Sequence, residues 1–124
     1  MARTLLNDAR RDLDDRLESK RGDEMQKTRP AVIVSDDLVG TLALKIIVPV
    51  TDWKDHYSEV DWMARLEPSD ENGLNKVSAA DTFQVRSVSQ ARLVRKLGKV
   101  SEADLLSIRQ AIAFVFDLEA PKHE

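Results

Sequence analysis

Apolar and polar positions fall into distinct patterns along the chain. Residues 31–35 (Ala-Val-Ile-Val-Ser) form a β-branched apolar run directly after Pro30, and residues 42–50 form a longer one, so both predict buried strands. Val60, Trp62, Ala64 and Leu66 alternate with Glu59, Asp61, Met63 and Arg65, the period-two pattern of a strand with one wet face, and Pro68 ends it. Trp62 would then face the core or a dimer interface. Residues 68–73, Pro-Ser-Asp-Glu-Asn-Gly, are turn chemistry. Residues 77–88 predict one or two more strands, with Phe83, Val85 and Ser87 on one face. The result is a curled, mainly β sheet.

The flanks change period. Residues 89–97 predict a short helix closed by Gly98, a residue that tolerates the left-handed backbone at a helix end. Ser101 opens a second helix as its N-cap, with Asp104 three residues on as in a capping box, and Leu105, Ile108, Ile112, Val115 and Phe116 form its apolar stripe. At the other end, Leu6, Ala9, Leu13 and Leu17 are spaced for a helix within a charged segment, residues 1–20. The tail, 119–124, is expected to fray at its end. Repeats and low-complexity tracts are absent.

Composition narrows the classes of function. A chain of 124 residues with 42% hydrophobic content supports one compact core. It has no apolar run near the roughly 18 residues of a membrane span and no signal-peptide pattern, so a soluble, cytoplasmic protein is expected. With no cysteine, thiolate nucleophiles and zinc-thiolate sites are excluded; the two histidines, His56 and His123, are too few for most metal cages. Neither a metal site nor a cofactor is expected. Net charge is −3, yet Lys76, Arg86, Arg92, Arg95, Lys96 and Lys99 face only Asp81 over residues 76–99, whereas 52–71 is rich in carboxylates. This predicts either one basic face or ordinary solvated charges.

An ordered set of motifs carries a family resemblance. Residues 21–30, Arg-Gly-Asp-Glu-Met-Gln-Lys-Thr-Arg-Pro, lead into the strand Ala-Val-Ile-Val and the polar turn Ser35-Asp36-Asp37. Val-Pro-Val-Thr at 48–51, Gln-Val-Arg-Ser at 84–87, Arg92-Leu93 and Lys-Leu-Gly-Lys-Val-Ser at 96–101 follow. This chain resembles MazF/PemK toxins over residues 21–118, taken as the toxin domain. The resemblance implies an SH3-like β-barrel with a C-terminal helix and a homodimer with single-stranded RNA across its groove. It also implies metal-independent cleavage of mRNA to a cyclic phosphate and a free 5′ hydroxyl, and a cognate antitoxin with an acidic, flexible tail.

Site residues follow from matching positions. Arg29 falls on the family's catalytic arginine; a guanidinium stays charged and can contact two phosphate oxygens, and the competing reading is an ion pair with Asp23 or Glu24. Thr51 falls where the family often has a catalytic threonine or serine, and could instead satisfy backbone groups at a strand end. Glu24 matches the pattern glutamate, acting as a base if its pKa is raised or otherwise orienting an arginine. Gln26, Lys27, Gln84 and Arg86 lie beside the motifs as RNA contacts. Trp53 and Tyr57 follow Thr51, where bases could stack on them for roughly 1–3 kcal/mol each, unless Trp53 packs on the barrel end. One branch of the family has a catalytic Arg and Asp where this chain has Asp81 and Phe83, so that acid and base do not transfer. His56 is a lone loop histidine and is not assigned a role.

The departure is at the N-terminus. Family members open with a Gly-Glu-Ile-Trp strand and Asp-Leu-x-Pro, which residues 1–20 lack, so the first strand is expected to be missing and a sheet edge exposed. Residues 10–19 admit codons that, shifted one base, spell Gly-Glu-Ile-Trp-Met-Thr-Asp-Leu-Asn-Pro, which suggests two compensating frame slips. The alternative is a genuine variant whose N-terminal helix covers that edge. Two further functions stay open: a non-catalytic, CcdB-like inhibitor of a protein such as gyrase, and a decayed toxin that retains only antitoxin binding.

Overall fold

The computed structural model describes residues 3–8, 29–40 and 43–119. Among these described residues are seven strands and one α-helix: β1 (Arg3–Asp8), β2 (Arg29–Ile33), β3 (Leu44–Asp52), β4 (Met63–Leu66), β5 (Ser78–Asp81), β6 (Arg86–Ser89), β7 (Leu93–Val100) and α1 (Glu102–Val115). The strands run antiparallel in the order β4-β5-β3-β2-β1-β7, with β6 also paired to β3. The expected closed barrel is therefore an open, curled sheet. Its ends meet through a turn: the Lys99 amide donates to the Glu71 carbonyl at 2.8 Å, and a Cβ on Gly98 would overlap that same carbonyl.

The first strand is present, which corrects the expectation that it is missing. β1 pairs with β2 on one side and β7 on the other, so both edges of its backbone are satisfied there. Leu5 is fully buried among Val32, Val48, Leu66, Val100, Leu105 and Ile108. Two hydrogen-bonding edges and a core position for Leu5 outweigh the helical spacing begun by Leu6. Ala9, Leu13, Leu17 and the segment of the frame-slip argument lie outside the described residues.

The helix expected over 89–97 is not formed either. Gln90–Arg92 makes a single 3₁₀ turn capped by the Ser89 hydroxyl, and β7 begins at Leu93. The register explains the misleading pattern: Leu93 faces Asp8, Arg95 faces Asn7, Lys96 faces Leu6 and Gly98 faces Leu5, which leaves Val94 and Leu97 as extra residues. Two such bulges interrupt the strict alternation of side chains, so the sequence lacks the period-two pattern that would mark a strand. Gly98 lies within this strand because Glu71 packs on it, not because a helix ends there.

Elsewhere the periodicities hold in part. β2 and β3 fall within or beside the two apolar runs, and Ala64 and Leu66 are buried on β4. The front of that alternating stretch is instead a 3₁₀ turn, Asp55–Glu59, followed by a turn at Asp61 and Trp62. Residues 77–88 give β5 and β6 separated by a 3₁₀ turn, Thr82–Gln84, so Phe83, Val85 and Ser87 share no strand face and Phe83 is exposed. The Trp62 carbonyl fixes this turn by accepting from the Thr82 amide and hydroxyl at 3.1 and 2.7 Å. Trp62 is half-buried against Phe83, with ring centroids 6.1 Å apart.

Ser101 caps α1 by accepting from the Asp104 amide at 3.1 Å, a contact worth about 1 kcal/mol. Leu105 and Ile108 bury themselves in the core, with Ile112 packed beside it. Phe116, expected on that stripe, is exposed because the helix stops at Val115 and Asp117 turns to φ 58°. Among the described residues, no helix is long and apolar enough to cross a membrane.

Candidate functional site

The mouth of the site is set by strand register. On β2 and β3, Ala31 faces Pro49, Val32 faces Val48 and Ile33 faces Ile47. Arg29 and Thr51 lie two positions beyond the Ala31–Pro49 pair, each on the same side of its own strand as that pair. Val50 points into the core and Thr51 out of it, as the pleat requires. Arg29 and Thr51 line one groove of about 520 Å³ with Asp52, Asn75, Lys76 and Arg95.

The groove is ringed even though the sheet is open. Starting from Arg29 on β2, its rim passes Thr51 and Asp52 on β3, then Lys76 and Asn75 beside β5. Gly73 then lies against β7, where Arg95 projects. Asn72 holds this turn together. Its buried side chain accepts from the Ser69 and Leu74 amides at 3.0 and 2.9 Å and donates to the Glu67 carbonyl at 2.8 Å. A buried amide that satisfies three backbone groups makes the rim rigid.

Charge in the groove differs from that of the chain. Among its lining residues are three cations, Arg29, Lys76 and Arg95, against one carboxylate, Asp52, while the whole chain carries −3. Lys76 Nζ lies 3.1 Å from Asp52 Oδ2. A concave surface with locally positive charge draws anions to it. No group of three or more His, Cys, Asp or Glu side chains among the described residues could hold a metal ion.

The other sequence candidates separate into three sets. Glu24, Gln26 and Lys27 lie outside the described residues. Trp53 and Tyr57 stand just past Thr51 in an edge-to-face pair with centroids 5.7 Å apart, and His56 meets Tyr57 at 4.7 Å. One face of Trp53 is already covered, because the Arg65 guanidinium lies 5.1 Å from its centroid while bonding Glu67 at 2.7 Å. Gln84 and Arg86 do not line the groove. The Gln84 amide donates to Asp81 Oδ2 at 2.8 Å, and Arg86 lies opposite Ile47 on β6.

Asp81, a position at which the resemblance transfers no acid or base, is held in place by hydrogen bonds. Its buried carboxylate also accepts from the Phe83 amide at 3.1 Å and caps the 3₁₀ turn. Sequence reading did not single out Lys76, Arg95 or Asn75 as site residues. The basic run over 76–99 contained the first two, but their convergence depends on the Gly73 turn reaching β7.

The comparisons with known proteins agree with this geometry. A family model described as "PemK-like, MazF-like toxin of type II toxin-antitoxin system" matches residues 13–116. The chain is 32% identical over 108 residues to Endoribonuclease MazF9 of Mycobacterium tuberculosis, covering 82% of this chain and 89% of that relative. It is 30% identical over 95 residues to Probable endoribonuclease MazF of Mycolicibacterium smegmatis, covering 74% and 83%. Among solved structures, an "Endoribonuclease in complex with its cognate antitoxin from Mycobacterial species" superposes with TM-score 0.66 at 20% identity, covering 95% of each chain. Mycobacterium tuberculosis toxin MazF-mt6 superposes with TM-score 0.63 at 22% identity, covering 75% of this chain and 90% of that one. These structural likenesses establish a shared fold. Together with the family match over most of the sequence, they show that this chain belongs to the PemK/MazF family of type II toxin–antitoxin toxins.

Proposed function

We propose that this toxin is an endoribonuclease that cuts single-stranded RNA, mRNA included, at the Arg29–Thr51 groove without a metal ion. The observation that carries the reading is a permanently charged guanidinium and a hydroxyl that line one cation-rimmed groove from neighbouring strands. The names of the relatives support it, since both are called endoribonucleases.

In the proposed reaction the ribose 2′ oxygen attacks phosphorus while its proton passes to a base. The bond from phosphorus to the 5′ oxygen breaks, and that oxygen takes up a proton. The products are a cyclic phosphate and a 5′ hydroxyl. Arg29 stabilises charge building on the phosphoryl oxygens, and Thr51 hydrogen-bonds the same group. Glu24 enters as the base or as the residue orienting Arg29, and Gln26 and Lys27 enter as RNA contacts, all three on the sequence motif alone. The exposed parts of Trp53 and Tyr57 offer bases a surface beside Thr51.

The protein would act in the cytoplasm as a homodimer. Its antitoxin would compete with RNA through an acidic tail that orders on binding, because carboxylates can replace phosphates among the same cations. The structural neighbour that is bound to its cognate antitoxin supports the partner class. The test is cleavage of single-stranded RNA in excess EDTA. Arg29→Ala is expected to lower the rate about a hundredfold or more with thermal stability nearly unchanged, and Thr51→Val to lower it less. An Arg29→Ala variant that cuts at the parent's rate, activity abolished by EDTA, or products without cyclic phosphate would sink this mechanism.

A further inference from the structure

Lys76 and Asp52 have no part in the reaction just described, yet both line the groove beside Arg29 and Thr51. Asp52 immediately follows Thr51 on β3. The Val77 carbonyl accepts from the Trp53 amide at 3.1 Å, and Ser78 pairs with Asp52, so the backbone at Lys76 continues alongside the end of β3. An acid next to the Thr51 hydroxyl would repel a polyanion if it stood alone. Its partner Lys76 removes that repulsion through the 3.1 Å ion pair.

We propose that Lys76 is a second phosphate-binding residue of the groove, held ready in the free protein by Asp52, whose carboxylate a phosphate of the bound strand displaces. This deepens the reading of the groove as a site for single-stranded RNA and rests on it. Three observations carry the exchange. The Lys76 and Asp52 side chains are 67% and 60% exposed, so the ammonium is open to a ligand and the carboxylate can return to water when released. An exposed ion pair contributes little to stability, so exchanging it for a charge-assisted phosphate contact costs little. Lys76 lies past Thr51 on the side away from Arg29, toward β5, which fits the phosphate next to the scissile one. That neighbouring phosphate keeps its charge as the reaction proceeds. Lys76 therefore contributes to binding in the ground state and the transition state alike, and acts on KM with little effect on kcat.

The experiment uses the full chain and two probes: a random-sequence pool of single-stranded RNA for cleavage, and a labelled 2′-deoxy pool of equal length for binding without cleavage. Binding is followed by anisotropy between 50 and 200 mM salt, where each phosphate neutralised on a single strand contributes about −0.7 to the slope of log affinity against log salt. Lys76→Gln is expected to flatten that slope by about 0.7, weaken binding and raise KM about tenfold, and keep kcat within about twofold. Lys76→Arg should restore the slope. Asp52→Asn should bind the pool a few-fold tighter, because the competing carboxylate is gone. Lys45→Gln is the control, since it removes a lysine from another ion pair, with Asp37, 3.4 Å long and away from the groove, and should leave the slope unchanged.

An unchanged slope in Lys76→Gln, weaker binding in Asp52→Asn, a Lys45→Gln effect as large as that of Lys76→Gln, or a parent that does not bind the deoxy pool would overturn the proposal. A parent that binds with a Lys76-dependent slope but cleaves no RNA would leave the subsite standing and remove the nuclease reading. Cleavage that persists with unchanged KM in Lys76→Gln would do the reverse.

Discussion

Gly73 and Gly40 hold nearly the same left-handed backbone, with φ 72° and 80°, in two turns of one sheet. A methyl group would have opposite consequences at the two sites. At Gly73 it would overlap the Leu97 carbonyl, because the turn lies directly against β7; at Gly40 it would meet nothing within 4 Å. The surrounding turns differ in the same way. The Gly73 turn is organised by the buried Asn72 side chain. The Gly40 turn is held by Asp36, which accepts from the Leu38 and Val39 amides while the Leu38 side chain is 93% exposed. Local backbone chemistry makes both turns, and tertiary contact makes only one of them a fixed rim of the groove.

The sharpest way to break this comparison is Gly73→Ala. The left-handed backbone costs an alanine about 1–2 kcal/mol, and relieving the overlap requires the turn to leave β7, so a total loss of about 4 kcal/mol is expected in denaturant unfolding. RNA cleavage should fall as well, because Asn75 and Lys76 move with the turn. A stability loss near 1 kcal/mol would show that the turn yields freely and that the rim is not rigid.

Asn72→Ala should come next, at about 3 kcal/mol, because two amides and one carbonyl in a part-buried turn lose their partner together. Loss of hydrogen-exchange protection confined to residues around 69–74 would be its signature. Asn72→Asp should recover part of the stability, since a carboxylate can still accept from the Ser69 and Leu74 amides. No recovery would mean that the bond to the Glu67 carbonyl dominates.

Gly40→Ala is expected to cost only about 1–2 kcal/mol, the backbone term without the overlap, and to leave cleavage unchanged. A loss equal to that at Gly73 would remove the contrast between the two turns.

The smallest effect is expected at Asp104, on the far side of the Glu67 segment. Burial raises its carboxyl pKa from the ordinary 3.8, the hydrogen bond to Ser101 opposes that rise, and nearby Glu67 adds to it. The folded state therefore holds the proton more tightly than the unfolded chain. The resulting penalty is absent below the unfolded pKa and grows until pH passes the folded one. Asp104→Asn should raise Tm by about one degree at pH 7 and give no gain at pH 3, the helix N-terminus having offset part of the penalty by favouring the carboxylate. A lower Tm at pH 7 would mean that the helix-end attraction outweighs burial.

Sequence alone determined the family and the mainly β fold with its C-terminal helix, because these depend on local order, and it offered Arg29 and Thr51 as site candidates through their match to the family's motif. A β-branched run after a proline, a capping serine followed by spaced leucines, and an arginine and a threonine at opposite ends of two apolar runs are legible without contacts. Tertiary structure decided what depends on a partner. Residues 3–8 became a strand because β2 and β7 offered two edges, and 93–100 became a strand because β1 offered it one, while bulges at Val94 and Leu97 broke the alternation that would have marked it in the sequence. The groove's other cations are invisible for the same reason. Lys76 and Arg95 are nineteen positions apart in the chain, and they share a rim because the backbone at Gly73 touches that of Leu97, a contact that no local pattern encodes.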